Sequence, residues 1–76
     1  MNNKVKALEF IINEESAVVG VPLEKLKIKQ DILVACINRK GQVITPRGQD
    51  QILVGDTVVV VTTLNGLDDI RDILVK

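Results

Sequence analysis

Four stretches of the sequence carry the residue pattern of β-strands. Residues 5–12 alternate, so that Leu8, Phe10 and Ile12 fall on one face of an extended chain. Two later stretches are rich in β-branched residues, which favour strands, and a tight turn at Lys40-Gly41 separates one of them from a short return strand. The pattern predicts strands at residues 5–12, 32–38, 42–45 and 57–63, with a brief extension at 51–54.

Two further segments have helical spacing. Pro22 opens a segment in which Leu23 and Leu26 lie three residues apart, which predicts one or two helical turns over residues 22–27. Near the end of the chain Asn65 is a candidate helix cap, and an apolar stripe follows it. The stripe consists of Leu67, Ile70, Ile73 and Leu74. We therefore expect a two-layer α+β domain over residues 1–76, with a small, mostly antiparallel sheet, a short helix after the first strand and a C-terminal helix.

The second and fourth predicted strands are apolar on both faces. A sheet covered on one side alternates apolar with polar residues, whereas residues 32–37 and 58–61 do not alternate. One C-terminal helix covers one face, and only the short helical segment remains for the other. The pattern therefore predicts that a second copy supplies part of the missing layer, while the alternative is that the short helix and loops suffice. The interface set is either Ile32, Val34, Cys36, Val58 and Val60, or Leu33, Ala35, Ile37, Val59 and Val61.

The composition removes several classes of function. The 76 residues include ten basic and ten acidic side chains, no histidine, one cysteine and one aromatic residue. A net charge of zero does not favour nucleic acid, and the lack of histidine removes the commonest general base and metal ligand. The longest apolar run, residues 32–37, is too short to cross a bilayer. We therefore expect no metal, no cofactor, no nucleic-acid partner, no direct membrane insertion and no enzyme activity.

Basic side chains near the predicted hairpin are the candidates for binding an anion. Arg39, Lys40 and Arg47 surround the hairpin and suit an anionic ligand or an acidic patch of a partner. The alternative reading, a solvated hairpin tip, is the more common situation for surface charges. Cys36 lies within an apolar run, which indicates a buried small side chain rather than a reactive thiol.

Taken in order, several segments resemble the TrkA C-terminal domain, also called the C-lobe of regulators of potassium conductance. They are SAVVGVPLEKL at residues 16–26, ILVACINRKG at 32–41, VITPRG at 43–48, VGD at 54–56, VVVVTT at 58–63 and GLDDIRDIL at 66–74. The resemblance runs from about Val5 to Leu74, and the ending is most similar to the last C-lobe of Trk potassium-uptake proteins.

The resemblance implies a regulatory role. Proteins of this family lie at the cytoplasmic side of a potassium-translocating membrane subunit and gate it; their C-lobes are α+β domains that dimerise. Their Rossmann-type nucleotide-binding lobe has no counterpart here, because none of the five glycines forms its dinucleotide motif. Some relatives bind cyclic di-AMP in the C-lobe with a basic and an amide residue. Lys29 matches the basic residue, and no amide residue matches clearly.

Three hypotheses about function follow. The first is a cytoplasmic dimerisation and regulatory module that couples the state of an effector to a potassium transporter through the full-length protein. The alternative is a small-ligand sensor that binds a nucleotide such as cyclic di-AMP at the dimer seam, with Lys29, Arg39 and Arg47 as the weak candidates for ligand contacts. The third, an enzyme, has the least support, because the residues present assemble no acid–base or nucleophilic set.

Overall fold

The computed structural model describes residues 4–75 and shows a sheet of four strands in which all neighbours are antiparallel. The strands are β1 (Lys6–Ile11), β2 (Ile32–Arg39), β3 (Gln42–Ile44) and β4 (Thr57–Thr62). Their order is β1-β4-β2-β3, so β4 and β2 are central and β1 and β3 are the edges. The predicted antiparallel sheet is confirmed; residues 1–3 and 76, the ends of the predicted domain, lie outside the described residues.

The hairpin between β2 and β3 follows directly from its turn residues. Lys40 and Gly41 have φ angles of 52° and 82°. Two successive residues with positive φ form a type I′ turn, whose twist matches that of antiparallel strands. By contrast, the predicted extension at residues 51–54 forms no strand; Ile52 and Gln51 make only isolated bridges, to Val19 and Pro22.

Neither predicted helix is an α-helix. The first is a single 3₁₀ turn at Leu23–Lys25, and the second is a 3₁₀ turn at Ile70–Ile73. After the first turn, the oxygen of Lys27 accepts from the N–H of Val75 and the N–H of Lys29 donates to Ile73, so contacts with a distant segment replace helical continuation. One helical turn is thus present within residues 22–27, as predicted, but the C-terminal helix is reduced to a short 3₁₀ turn, and the α part of the α+β class is not confirmed.

The C-terminal turn is short because extended pairing takes over directly after it. Asp69, rather than the predicted Asn65, caps the turn, with Asp72 completing a reciprocal capping box. Beyond the turn, Leu74 pairs with Ile28 in an antiparallel bridge. These tertiary hydrogen bonds are formed in place of the helical ones that the apolar stripe predicted, since helix propensity is a weak preference that packing overrides.

A β-bulge in β2 redistributes its side chains between the two faces of the sheet. Val34 lies opposite Val60, whereas Cys36 lies opposite Val59, so Ala35 is an additional residue in the ladder. The residues before and after the bulge therefore do not keep one odd–even alternation. Each of the two predicted interface sets consequently mixes residues from both faces, and the strict alternation assumed for β2 is wrong.

The core lies on one side of the sheet only. Both 3₁₀ turns and the connecting loops pack on that side, together with the inward residues of the central strands. The buried apolar residues are Ile12, Val18, Ile37, Ile52, Val58, Val60, Ile70 and Ile73. The predicted face of β1 is consistent with this arrangement, since Leu8 and Phe10 are half-buried and Ile12 is buried.

We expect the C-terminal turn to be part of the cooperative fold. Replacing the fully buried Ile73 by alanine should lower the free energy of unfolding by about 3 kcal/mol, because the cavity adds to the lost burial. Urea unfolding followed by circular dichroism measures the change. Val75→Ala, at a side chain that is 55% exposed, is the matched control and should change stability little. Equal effects of the two substitutions would contradict this assignment of the core.

Candidate interaction surface

The second face of the sheet is not covered by any segment among residues 4–75. We call it the open face, and its residues follow from the strand registers. They are Ala7, Glu9 and Ile11 of β1, Thr57, Val59 and Val61 of β4, Leu33, Cys36 and Asn38 of β2, and Val43 of β3. Most of them are apolar, which is unusual for a sheet face in contact with water.

The open face has a depression with apolar edges. A hollow of about 520 Å³ lies over the central strands, with Cys36, Thr57 and Val59 among its lining residues. Ile11 and Val43, which belong to the two edge strands, also line it and are 74% and 71% exposed. Large aliphatic side chains so exposed are typical of a surface that is buried by a partner.

Polar residues on the open face are few. Glu9 is its one charged residue and lies on the edge strand β1, while Asn38 lies near the hairpin end of β2. A contact surface with an apolar centre and polar groups toward its border has the usual composition of a protein interface. The sequence predicted that apolar residues would remain uncovered; it did not predict the contribution of Ile11 and Val43.

Arg39, one of the predicted anion-binding residues, is engaged within the domain. Its guanidinium donates two hydrogen bonds of 2.9 Å to the carboxylate of Asp56, which is 1% exposed, and a third to the main-chain oxygen of Gln51. Asp56 also accepts from the N–H of Leu53. The Arg39 hydrogen bonds, followed by that of Leu53, lower the pKa of Asp56 although burial opposes the shift. This contact joins the end of β2 to the loop that precedes β4.

The other two candidates line one groove. Lys29 and Arg47 lie in a hollow of about 330 Å³ beside the N-terminal half of β2. Its apolar lining includes Leu33 and Pro46, and Glu24 is its one acidic residue. The structure therefore brings Lys29 and Arg47 to a common site and separates Arg39 from them; the predicted ligand contacts of all three stay predictions.

Gly48 lines the same groove, where a side chain would crowd Glu24. A Cβ atom at this position would lie 2.7 Å from the carboxylate of Glu24 and 3.0 Å from its Cβ. The close approach accompanies the hydrogen bond from the N–H of Glu24 to the Gly48 oxygen.

Within the described part of the chain no helix is long and apolar enough to span a membrane, and no group of three potential metal ligands comes together.

A one-sided antiparallel sheet with an apolar open face defines a small interaction domain. The chain belongs to the TrkA-C domain family, because the model of that family matches residues 7–75. The resemblance identified from the sequence is therefore confirmed over nearly the whole length of the chain.

The curated relatives are potassium-uptake proteins. The chain is 34% identical over 70 residues to "Trk system potassium uptake protein trkA homolog 1" of Methanosarcina mazei, which covers 92% of this chain. It is 27% identical over 70 residues to the TrkA homolog of Pyrococcus abyssi. The chain spans only 17% of the length of the first relative and 31% of the second.

A solved structure has the same fold. A chain described as "Structure of RCK domain with cda" superposes with a TM-score of 0.69 and 23% sequence identity. The match covers 91% of this chain and 97% of that one. The RCK-like fold assignment is thereby confirmed for the domain as a whole.

We expect the Arg39–Asp56 contact to be the most sensitive polar contact of the fold. Asp56→Ala leaves Arg39 and the N–H of Leu53 without their partner and should cost about 3 kcal/mol, the lower end for a buried pair because Arg39 is partly exposed. Asp68→Ala is the control, since the exposed Asp68 side chain makes no hydrogen bond within residues 4–75. Urea unfolding compares them.

The same comparison has a defined pH dependence. Because the folded pKa of Asp56 is lowered, its stabilising contribution is present above its unfolded pKa of about 3.9 and disappears as pH falls through the folded pKa. The difference in unfolding free energy between wild type and Asp56→Ala should therefore shrink below about pH 4. If the difference in unfolding free energy stayed constant down to about pH 2, it would contradict the assigned contact.

Proposed function

We propose that this domain is a dimerising regulatory module of a Trk-type potassium-uptake system. The open face carries the proposal, since it presents apolar side chains that residues 4–75 leave uncovered. Burial of apolar surface contributes roughly 25 cal/mol per Å². A small domain with marginal stability gains most from covering such a face.

The occupant of the open face is the same face of a second copy. The face is nearly neutral, with Glu9 at its edge strand, so two copies meet with little electrostatic repulsion at the centre. Packing of two sheets face to face interdigitates their side chains in a layer about 10 Å thick. Ile11 and Val43, which rise at the two edges, supply the side chains that enter the partner's hollow.

In the full-length protein such a dimer transmits a change of state. Two domains held together through a packed apolar layer move as one body, so a change in an attached lobe alters the spacing between the two chains. Names of the curated relatives connect this class with potassium uptake, and we extend that connection to the parent of this chain. The partner is then a potassium transporter at the cytoplasmic side of the membrane, and the domain itself performs no chemical reaction.

The proposal predicts a dimer that one exposed residue controls. The wild-type chain should sediment as a dimer at equilibrium, and Ile11→Asp should weaken association at least about tenfold, which corresponds to about 1.4 kcal/mol. Ile11 is 74% exposed, so the substitution leaves the core intact. Val75→Asp replaces an exposed valine outside the open face and is the matched control. A wild-type chain that stays monomeric at millimolar concentration would contradict the proposal.

A second candidate function is binding of a nucleotide such as cyclic di-AMP at the dimer seam. The observation that favours it is the shared groove of Lys29 and Arg47, with apolar walls for a base and two cations for phosphate. Leu33 lines this groove and also lies on the open face, so the groove borders the proposed seam. Arg39 does not line this groove.

Calorimetric titration with cyclic di-AMP tests the second candidate. Binding should weaken at least about tenfold in the double variant Lys29→Gln/Arg47→Gln, because each charged hydrogen bond contributes about 1.5–3 kcal/mol. Lys4→Gln, at an exposed position outside the groove lining, is the control. No heat with the wild-type chain would remove this candidate and leave the dimer proposal intact.

A further inference from the structure

Half of one edge of β2 has no partner strand. β3 pairs only with Ile37, Asn38 and Arg39, after which Pro46 and the following loop diverge from the sheet. On that side of residues 32–34, no strand, turn or side chain within residues 4–75 makes a hydrogen bond with the main chain. The edge is therefore free although β2 is a central strand.

The type I′ turn determines toward which neighbouring edge the main-chain N–H and C=O groups of each β2 residue point. In a two-residue hairpin the closing pair, Arg39 and Gln42, is hydrogen bonded, and the direction then alternates along the strand. The bulge at Ala35 resets the alternation. After this reset, the main-chain N–H and C=O groups of Leu33 point toward β4. Those of Ile32 and Val34 point outward, into the free edge.

This free edge forms one side of the groove that contains Lys29 and Arg47. Ile32, Leu33 and Val34 line the groove on one side, and Pro46, Arg47 and Gly48 line it on the other, at the point where the loop leaves the sheet. A strand entering here gains main-chain hydrogen bonds to β2 and side-chain contacts with the loop. Strand addition to an exposed sheet edge is a common way of binding extended peptides.

The charges around the groove select the kind of peptide. Two cations and one carboxylate line it, and Lys25 and Lys27 are exposed on the adjoining segment. Acidic side chains complement this arrangement. A second copy of the chain fits less well, because each copy carries the same loop beside its own edge, and the same cations would face each other.

We propose that the free edge of β2 binds an extended acidic segment of a partner protein by strand addition. The segment lies between β2 and the residues that follow β3, with its main chain paired to Ile32 and Val34 and its carboxylates near Lys29 and Arg47. This site borders the open face at Leu33, but the main-chain groups that it uses belong to Ile32 and Val34, so different measurements test strand addition and the dimer.

Hydrogen exchange of the 76-residue chain gives the first test. In the free domain the amides of Ile32 and Val34 should exchange much faster than those of Leu33 and Cys36. A short synthetic peptide of alternating valine and glutamate should bind and slow both amides at least about tenfold. Protection of the same two amides in the free domain, arising only as the chain self-associates, would mean that a second copy holds the edge and would overturn the proposal.

Methylated peptides separate strand addition from attraction by charge alone. Successive residues of a strand direct their N–H groups to opposite edges, so N-methylation of all valines blocks one edge and N-methylation of all glutamates blocks the other. One of the two peptides should lose binding at least about tenfold and the other should keep it. Equal binding of the two peptides, or no binding of the unmodified peptide at millimolar concentration, would contradict the proposal.

Discussion

The structure depends on one constraint: a sheet of four strands has two faces, and residues 4–75 cover only one of them. The loops and both 3₁₀ turns pack on the same side, where Ile37, Val58 and Ile73 form the centre of the core. Main-chain hydrogen bonds hold this layer in place: Leu23 and Glu24 donate to the loop before β4, and Lys29 donates to the C-terminal 3₁₀ turn. Nothing within residues 4–75 remains for the second face, and our proposal therefore places a second copy of the chain there.

Much of the sheet could be predicted from local pattern, because β-branched residues favour strands and Lys40-Gly41 favours a tight hairpin turn. The helices could not. The apolar stripe from Leu67 to Leu74 fits a helix, but its final residue pairs with Ile28, a contact between segments far apart in sequence. An isolated stripe contains no information about such a contact, and a short helix has little intrinsic stability to resist it.

The candidate surface was predictable in outline and not in detail. Strands that are apolar on both faces predicted an uncovered layer, whereas the bulge at Ala35 decided that Cys36 and not Ile37 lies in it. Charge patterns alone gave no means of separating Arg39 from Arg47, because the difference depends on the buried Asp56. The turn sequence Gly55-Asp56 before β4 was the available signal, since aspartate in that position often accepts hydrogen bonds from nearby main chain.

The single thiol of Cys36 offers the most direct measurement of the central claim, because it lies on the open face and is half-buried in one copy of the chain. Its rate of alkylation should be followed over a wide range of protein concentration. If two open faces meet, the rate falls as the concentration passes through the dissociation constant of the dimer, and Ile11→Asp shifts that fall to higher concentration. A rate independent of concentration would show that the face stays in contact with water, which contradicts the account.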